Sequence, residues 1–92
     1  MKRVEISTTA RSDIRYLRRW LAARAPSASK RATELILAAA NSLGDFPERG
    51  RPALEGMREL TVPFGSACYI LQYLVDGDRV IVSRVFHSLE RR

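Results

Sequence analysis

Ninety-two residues make one domain, 1–92, and a chain this short buries roughly 60 to 65 per cent of its unfolded surface, which leaves no room for a second core. Sixteen Lys and Arg against ten Asp and Glu leave a formal charge of +6, a balance that favours acidic partners: nucleic acid, an anionic membrane or an acidic protein segment. The single Cys68 excludes an intramolecular disulfide, and one His with one Cys cannot supply the usual metal-ligand set, so no metal or cofactor is expected. Arg3, Arg11, Asp13, Arg15 and Arg18 interrupt the N-terminus before any apolar run develops, so neither a signal peptide nor a membrane span is read and a cytoplasmic, reducing setting is expected.

Residues 1–7 set Arg3, Glu5 and Ser7 against Val4 and Ile6, the alternation of a short half-buried strand that joins a sheet. Ser7, Thr8 and Thr9 offer cap oxygens for a first helix, with Asp13 expected in its first turn near the positive end of the dipole. Ala10, Ile14, Leu17 and Leu21 form its apolar stripe, Trp20 lies beside that stripe, and Arg11, Arg15, Arg18 and Arg19 occupy much of the remainder. Pro26 breaks this helix and, with Ser27 as a cap, starts a second whose stripe is Ala32, Leu35, Ile36, Ala39 and Leu43, closed by Gly44. The short connection makes the two helices an antiparallel hairpin.

Residues 44–56, with Gly44, Gly50, Gly56, Pro47 and Pro52, read as one long loop of a length that is often functional. A strand over 57–62 follows, with Arg58, Leu60 and Val62 on one side, and Pro63-Phe64-Gly65 turns it into the next. Residues 67–75 are apolar at nearly every position, which predicts a central strand covered on both faces with Cys68 as a small core residue. Asp76-Gly77-Asp78 is a hairpin turn. Beyond it Val80, Val82 and Phe86 fall on one face and Ile81, Ser83, Val85 and His87 on the other, with Arg84 marking where the strand leaves the core. The expected class is α+β: an N-terminal strand, an antiparallel helix hairpin, then a three-stranded antiparallel meander, with the helices packed on one face of the sheet.

Ala10-Arg-Ser-Asp-Ile14, Phe46-Pro47-Glu-Arg-Gly50-Arg51, Gly56-Met-Arg58-Glu59-Leu60, Cys68-Tyr69-Ile-Leu-Gln-Tyr73 and Val85-Phe86-His87 occur in this order over nearly the whole chain. In that arrangement the chain resembles the ParE/RelE superfamily of type II toxin-antitoxin toxins. The resemblance implies a toxin held by a cognate antitoxin, ParD-like or related, with operator DNA reached only through the antitoxin complex and no membrane partner. It also implies one of two targets. RelE-like toxins cut messenger RNA on the ribosome and carry an arginine after the first tyrosine of the central strand, where this chain has Ile70; their C-terminal tyrosine is absent from Leu89-Glu90-Arg91-Arg92. Val85-Phe86-His87 resembles the ParE branch, known as poisons of DNA gyrase. The leading reading is therefore gyrase inhibition by protein binding, with no catalytic residue. The alternatives are a ribosome-dependent mRNA endonuclease and a non-toxic antitoxin-binding, co-regulatory module.

Two residue sets carry these expectations. Residues 8–31 hold seven basic side chains against Asp13 alone, so an acidic antitoxin segment is expected to contact Arg15, Tyr16, Arg19, Trp20 and Arg24, with Trp20 either a half-exposed anchor or a core residue. Arg58, Arg84, His87, Arg91 and Arg92 are the target-binding set. All but Arg84 have a plainer alternative: a carboxylate partner at the sheet edge for Arg58, a strand-end hydrogen bond to backbone for His87, and solvated charge for the tail.

Overall fold

The computed structural model describes residues 1–88. In chain order the elements are β1 (Arg3–Ile6), α1 (Thr8–Arg24), α2 (Pro26–Ser42), β2 (Arg51–Pro52), a 3-10 turn (Leu54–Gly56), β3 (Arg58–Phe64), β4 (Ala67–Asp76) and β5 (Arg79–His87). One five-stranded sheet runs β1-β5-β4-β3-β2. The meander β3-β4-β5 is antiparallel as expected, but the sheet is mixed, because β1 lies parallel to β5 with Val4 opposite Val80 and Ile6 opposite Val82. The helix hairpin is the crossover that a parallel pair requires. Residues 44–56 are also more ordered than a loop, since Arg51 and Pro52 pair with Glu59 and Arg58 and add a short edge strand.

Ser7 caps α1, its Oγ accepting from the Ala10 amide at 3.0 Å. Asp13 is not in the first turn but buried, where it reaches β5. Pro26 opens α2 at its first position, and the cap there is Ala25 rather than Ser27. Ala10, Ile14 and Leu17 of α1 meet Ala32, Ile36, Ala39 and Leu43 of α2 in the core, whereas Leu35 points outward and Ala40 takes the inward place. A 3.6-residue period admits either neighbour of Ile36 and Ala39, and the crossing with α1 and the sheet selects Ala40.

β4 is the central strand, but only one of its faces is covered: Tyr69, Leu71 and Tyr73 are buried, while Ile70 and Gln72 are half-buried and Leu74 is exposed. Cys68 likewise lies half-buried outside the core. Pro63 and Phe64 continue β3 rather than turning it, so the turn is the Gly65-Ser66 pair. The face assignment of β5 changes most. Tyr73 pairs with Val82 and Gln72 with Arg84, so Ser83 is an extra residue in β5, a bulge. A one-residue insertion reverses the alternation beyond it. Val85 therefore joins Val80 and Val82 in the core, His87 turns to the helix side, and β5 keeps pairing past Arg84 as far as His87 opposite Tyr69.

Candidate functional site

The helical layer presents the first residue set. Tyr16, Trp20 and Arg24 follow each other at i, i+4 on α1, with Arg15 and Arg19 in the adjacent row. Tyr16 is 47% exposed and Trp20 37%. The Arg24 guanidinium lies 4.1 Å over the Trp20 ring and donates to the Trp20 carbonyl at 3.0 Å, so the indole is covered on one side by a cation. Arg15, Arg18, Arg19, Ala22 and Ser29 line a cleft of about 280 Å³ between α1 and the start of α2. Ser29 is buried and donates to the Arg18 carbonyl, which closes the floor of this cleft with a satisfied hydroxyl.

Trp20 connects this layer to the sheet. Its ring is 5.9 Å from that of His87, which meets Tyr69 edge-on at 5.4 Å, and Tyr69 in turn lies 5.9 Å from Phe64. Arg31 of α2 reaches over Phe64 at 5.7 Å. An aromatic row thus runs from α1 across the ends of β5, β4 and β3, with a guanidinium at each end. Burial pushes the Tyr69 hydroxyl above its ordinary pKa of 10.0 and keeps it neutral. Sequence reasoning singled out Trp20 and His87 but not Phe64, Tyr69 or Arg31 as their companions. The row draws on four elements, and its only local sign is that aromatic residues stand near the ends of adjacent strands.

The remaining target-binding residues are placed elsewhere and held by other groups. Arg84 donates to both carboxylate oxygens of Asp13, at 2.9 and 3.3 Å, and the Val85 amide donates to the same carboxylate at 2.9 Å. Arg58 has no carboxylate partner among the described residues; it donates to the backbone carbonyls of Gly50 and Glu48, at 3.0 and 3.3 Å. Its neighbour Tyr73 stands four residues along β4 from Tyr69, roughly 13 Å at a strand's rise, so Arg58 lies well away from the aromatic row. Ile70 is paired with Thr61 and Phe86. Arg91 and Arg92 lie outside the described residues.

Charge is distributed unevenly. Arg3 and Arg79 pair with Glu5, Arg79 also with Asp76, and Arg51 with Glu59, so the strands largely neutralise themselves. Arg11, Arg15, Arg18, Arg19, Arg24, Lys30 and Arg31 of the helical layer take part in no ion pair among the described residues. No helix among those residues is long and apolar enough to cross a membrane.

Residues 4–92 match the family model for the ParE toxin of the type II toxin-antitoxin system, parDE. Two relatives from Caulobacter vibrioides are similar over almost their full lengths: Toxin RelE3 is 51% identical over 100% of both chains. Toxin RelE1 is 39% identical, covering 97% of this chain and 96% of the relative. In the chromosomal ParDE toxin-antitoxin system from P. aeruginosa, one chain superposes with a TM-score of 0.83 at 19% identity, covering 95% of this chain and 96% of that one. A chain of the RelBE2 toxin-antitoxin complex from Mycobacterium tuberculosis matches at a TM-score of 0.66 and 27% identity, covering 94% and 96%.

Proposed function

We propose, from the premise that this chain belongs to the ParE/RelE superfamily and is the toxin of a type II toxin-antitoxin system, that it arrests growth by binding a protein target, DNA gyrase, and is neutralised by an acidic antitoxin segment laid on its helical face. The observation that carries the antitoxin half is the segregated charge: the helical layer holds seven cations without ion pairs among the described residues, and three of them, Arg15, Arg19 and Arg24, neighbour the half-exposed Tyr16 and Trp20 on α1. An amphipathic acidic helix or arm supplies both the apolar side chains that fit beside Trp20 and the carboxylates that meet Arg15, Arg19 and Arg24. The similarity to a chain of the RelBE2 toxin-antitoxin complex supports a protein partner.

Binding rather than cutting is supported by how the polar side chains are used. Cleaving RNA by attack of a 2′-hydroxyl needs a base, an acid and cations free to meet the phosphate. Here His87 packs between Trp20 and Tyr69, Arg84 is held by Asp13, Arg58 is held by carbonyls, and position 70 is isoleucine. The RelE names of two close relatives favour the second reading, ribosome-dependent cleavage of message. A supercoiling assay with purified gyrase, run beside a cleavage assay on ribosome-bound message, separates the two. The expected result is inhibited supercoiling and intact message; cutting of the message without effect on gyrase overturns the proposal in favour of the ribonuclease.

A further inference from the structure

Helix α1 has a second flank that differs from the one carrying Tyr16 and Trp20. With about 3.6 residues per turn, Arg11, Arg15, Arg18 and Ala22 fall within about 60° of one another, centred roughly opposite Trp20 around the helix axis. The buried stripe of Ala10, Ile14 and Leu17 separates the two flanks on the inner side, and the exposed Ser12 and Arg19 separate them on the outer side. All three arginines of the second flank are exposed, and Ala22 is its only apolar residue. Arg11 is held in place by a bond from its Nε to the Ile6 carbonyl at 3.2 Å.

This flank borders the cleft of about 280 Å³ lined by Arg15, Arg18, Arg19, Ala22 and Ser29. Every charged group in that lining is a guanidinium, and none of the three takes part in an ion pair among the described residues. Asp13, the one acid of α1, is engaged by Arg84, and Glu34, the one acid of α2, is not among the lining residues. Ser29 directs its hydroxyl proton to the Arg18 carbonyl, so the donors left to the cleft are those of the arginines.

An anion therefore suits this flank, and the neighbouring side chains narrow its class. The cleft falls short of the roughly 300 Å³ at which pockets for whole small molecules begin, so it admits a single anionic group rather than a complete metabolite. An amphipathic acidic helix and an anionic membrane both bury apolar side chains as they bind, and this flank offers only Ala22. Single-stranded nucleic acid is held by stacking on aromatic rings, whereas the rings of α1 lie on the other flank. A duplex backbone needs cations alone. Arg11, Arg15 and Arg18 span about 10 Å of helix axis, close to three phosphate steps of one strand at about 3.4 Å each. We infer that the Arg11, Arg15 and Arg18 flank of α1 binds the phosphate backbone of duplex DNA without reading its sequence, while the antitoxin holds the Trp20 flank. This contact goes beyond the toxin's protein partners and does not depend on whether the target is gyrase.

The test titrates the whole chain into a short labelled duplex of mixed sequence and follows fluorescence anisotropy across a salt series. Three phosphate contacts make binding about fortyfold weaker at about 0.2 M salt than at about 0.05 M. Arg15 borders both surfaces and is left in place. Arg11→Gln with Arg18→Gln leaves one contact, which cuts that ratio to about fourfold and lowers affinity at low salt by about tenfold or more, with melting and antitoxin affinity unchanged. Arg11→Lys with Arg18→Lys recovers most of the binding, because a phosphate accepts from either cation. Arg24→Gln with Arg31→Gln removes the same charge elsewhere and changes duplex affinity by less than about threefold. The proposal is overturned by a parent chain that does not bind the duplex, by an equal loss in the Arg24 and Arg31 pair, or by tighter binding to a single strand of the same length. A loss of antitoxin affinity in place of duplex affinity, or failure of the lysine pair to recover binding, overturns it as well.

Discussion

A carboxylate as deeply placed as Asp13 costs free energy unless its oxygens are served, and here Arg84 and the Val85 amide serve both. Asp13→Ala leaves the Val85 amide and a half-buried guanidinium without this acceptor, and the expected loss in urea unfolding is roughly 2 to 4 kcal/mol, short of the full cost of a buried pair because Arg84 is partly exposed. Tyr69 makes a second prediction at this scale. Its folded pKa is raised by burial, so the unfolded phenol ionises first as pH climbs through about 10. Stability is complete below the unfolded value and falls between the unfolded and the folded one; in Tyr69→Phe this alkaline slope should be shallower in melts taken from pH 9 to 11. Trp20, at 37% exposure, is neither a free anchor nor a sealed core residue. Trp20→Ala should cost the isolated toxin only about 1 to 2 kcal/mol, below the range for a fully buried Trp. It should weaken antitoxin affinity by about 2 kcal/mol or more, as titration calorimetry would measure.

At the scale of elements, the bulge in β5 decides which side chains the helices meet. Three groups hold it: the Ser7 hydroxyl donates to the Ser83 carbonyl at 3.0 Å, the Ser83 hydroxyl donates to the Gln72 carbonyl, and Asp13 takes the Val85 amide just beyond. Ser7 also caps α1, so the start of that helix and the irregular part of the strand are built from one another. Deleting Ser83 turns the bulge into regular pairing in which Arg84 follows Val82 directly, so Val85 and His87 keep their partners Leu71 and Tyr69 and their faces. The expected loss is about 1 to 3 kcal/mol, from the two hydrogen bonds that join Ser83 to Ser7 and Gln72. Ser83→Ala keeps the residue count and should cost about 1 kcal/mol or less. Urea unfolding of the two variants, with near-UV circular dichroism for the Trp20 environment, checks both outcomes.

For the whole molecule, most charges of the sheet are paired among the described residues whereas seven cations of the helical layer are not, so the field of the protein is directional. Association with an acidic antitoxin should be steered by it. The on-rate is expected to fall roughly tenfold or more as ionic strength rises from about 0.05 to 0.5 M, over which screening shortens below 5 Å. Replacing Arg15, Arg19 and Arg24 by Gln should flatten that dependence. Replacing Arg3 and Arg79 by Gln should not, because those two already have Glu5 and Asp76 as partners. Stopped-flow mixing across a salt series measures both.

The class, the helix hairpin, the three-stranded meander and the family were legible in the sequence, because stripes at helical spacing, alternation along strands and the Asp-Gly turn are local patterns that need no distant partner. The parallel docking of β1 on β5 was not legible: alternation says that a strand has a buried face, not which edge receives it. Nor was the second face of β4, whose apolar run announced two covers where the fold provides one, leaving Leu74 exposed. Arg15, Tyr16, Arg19, Trp20 and Arg24 could be grouped in advance because one helix carries them at i, i+4. The meeting of Trp20 with His87, the capture of Arg84 by Asp13 and the stapling of Gly50 by Tyr73 were decided only in the tertiary structure. Each joins groups from 23 to 71 residues apart, and one inserted residue, Ser83, set the phase that placed the strand partners.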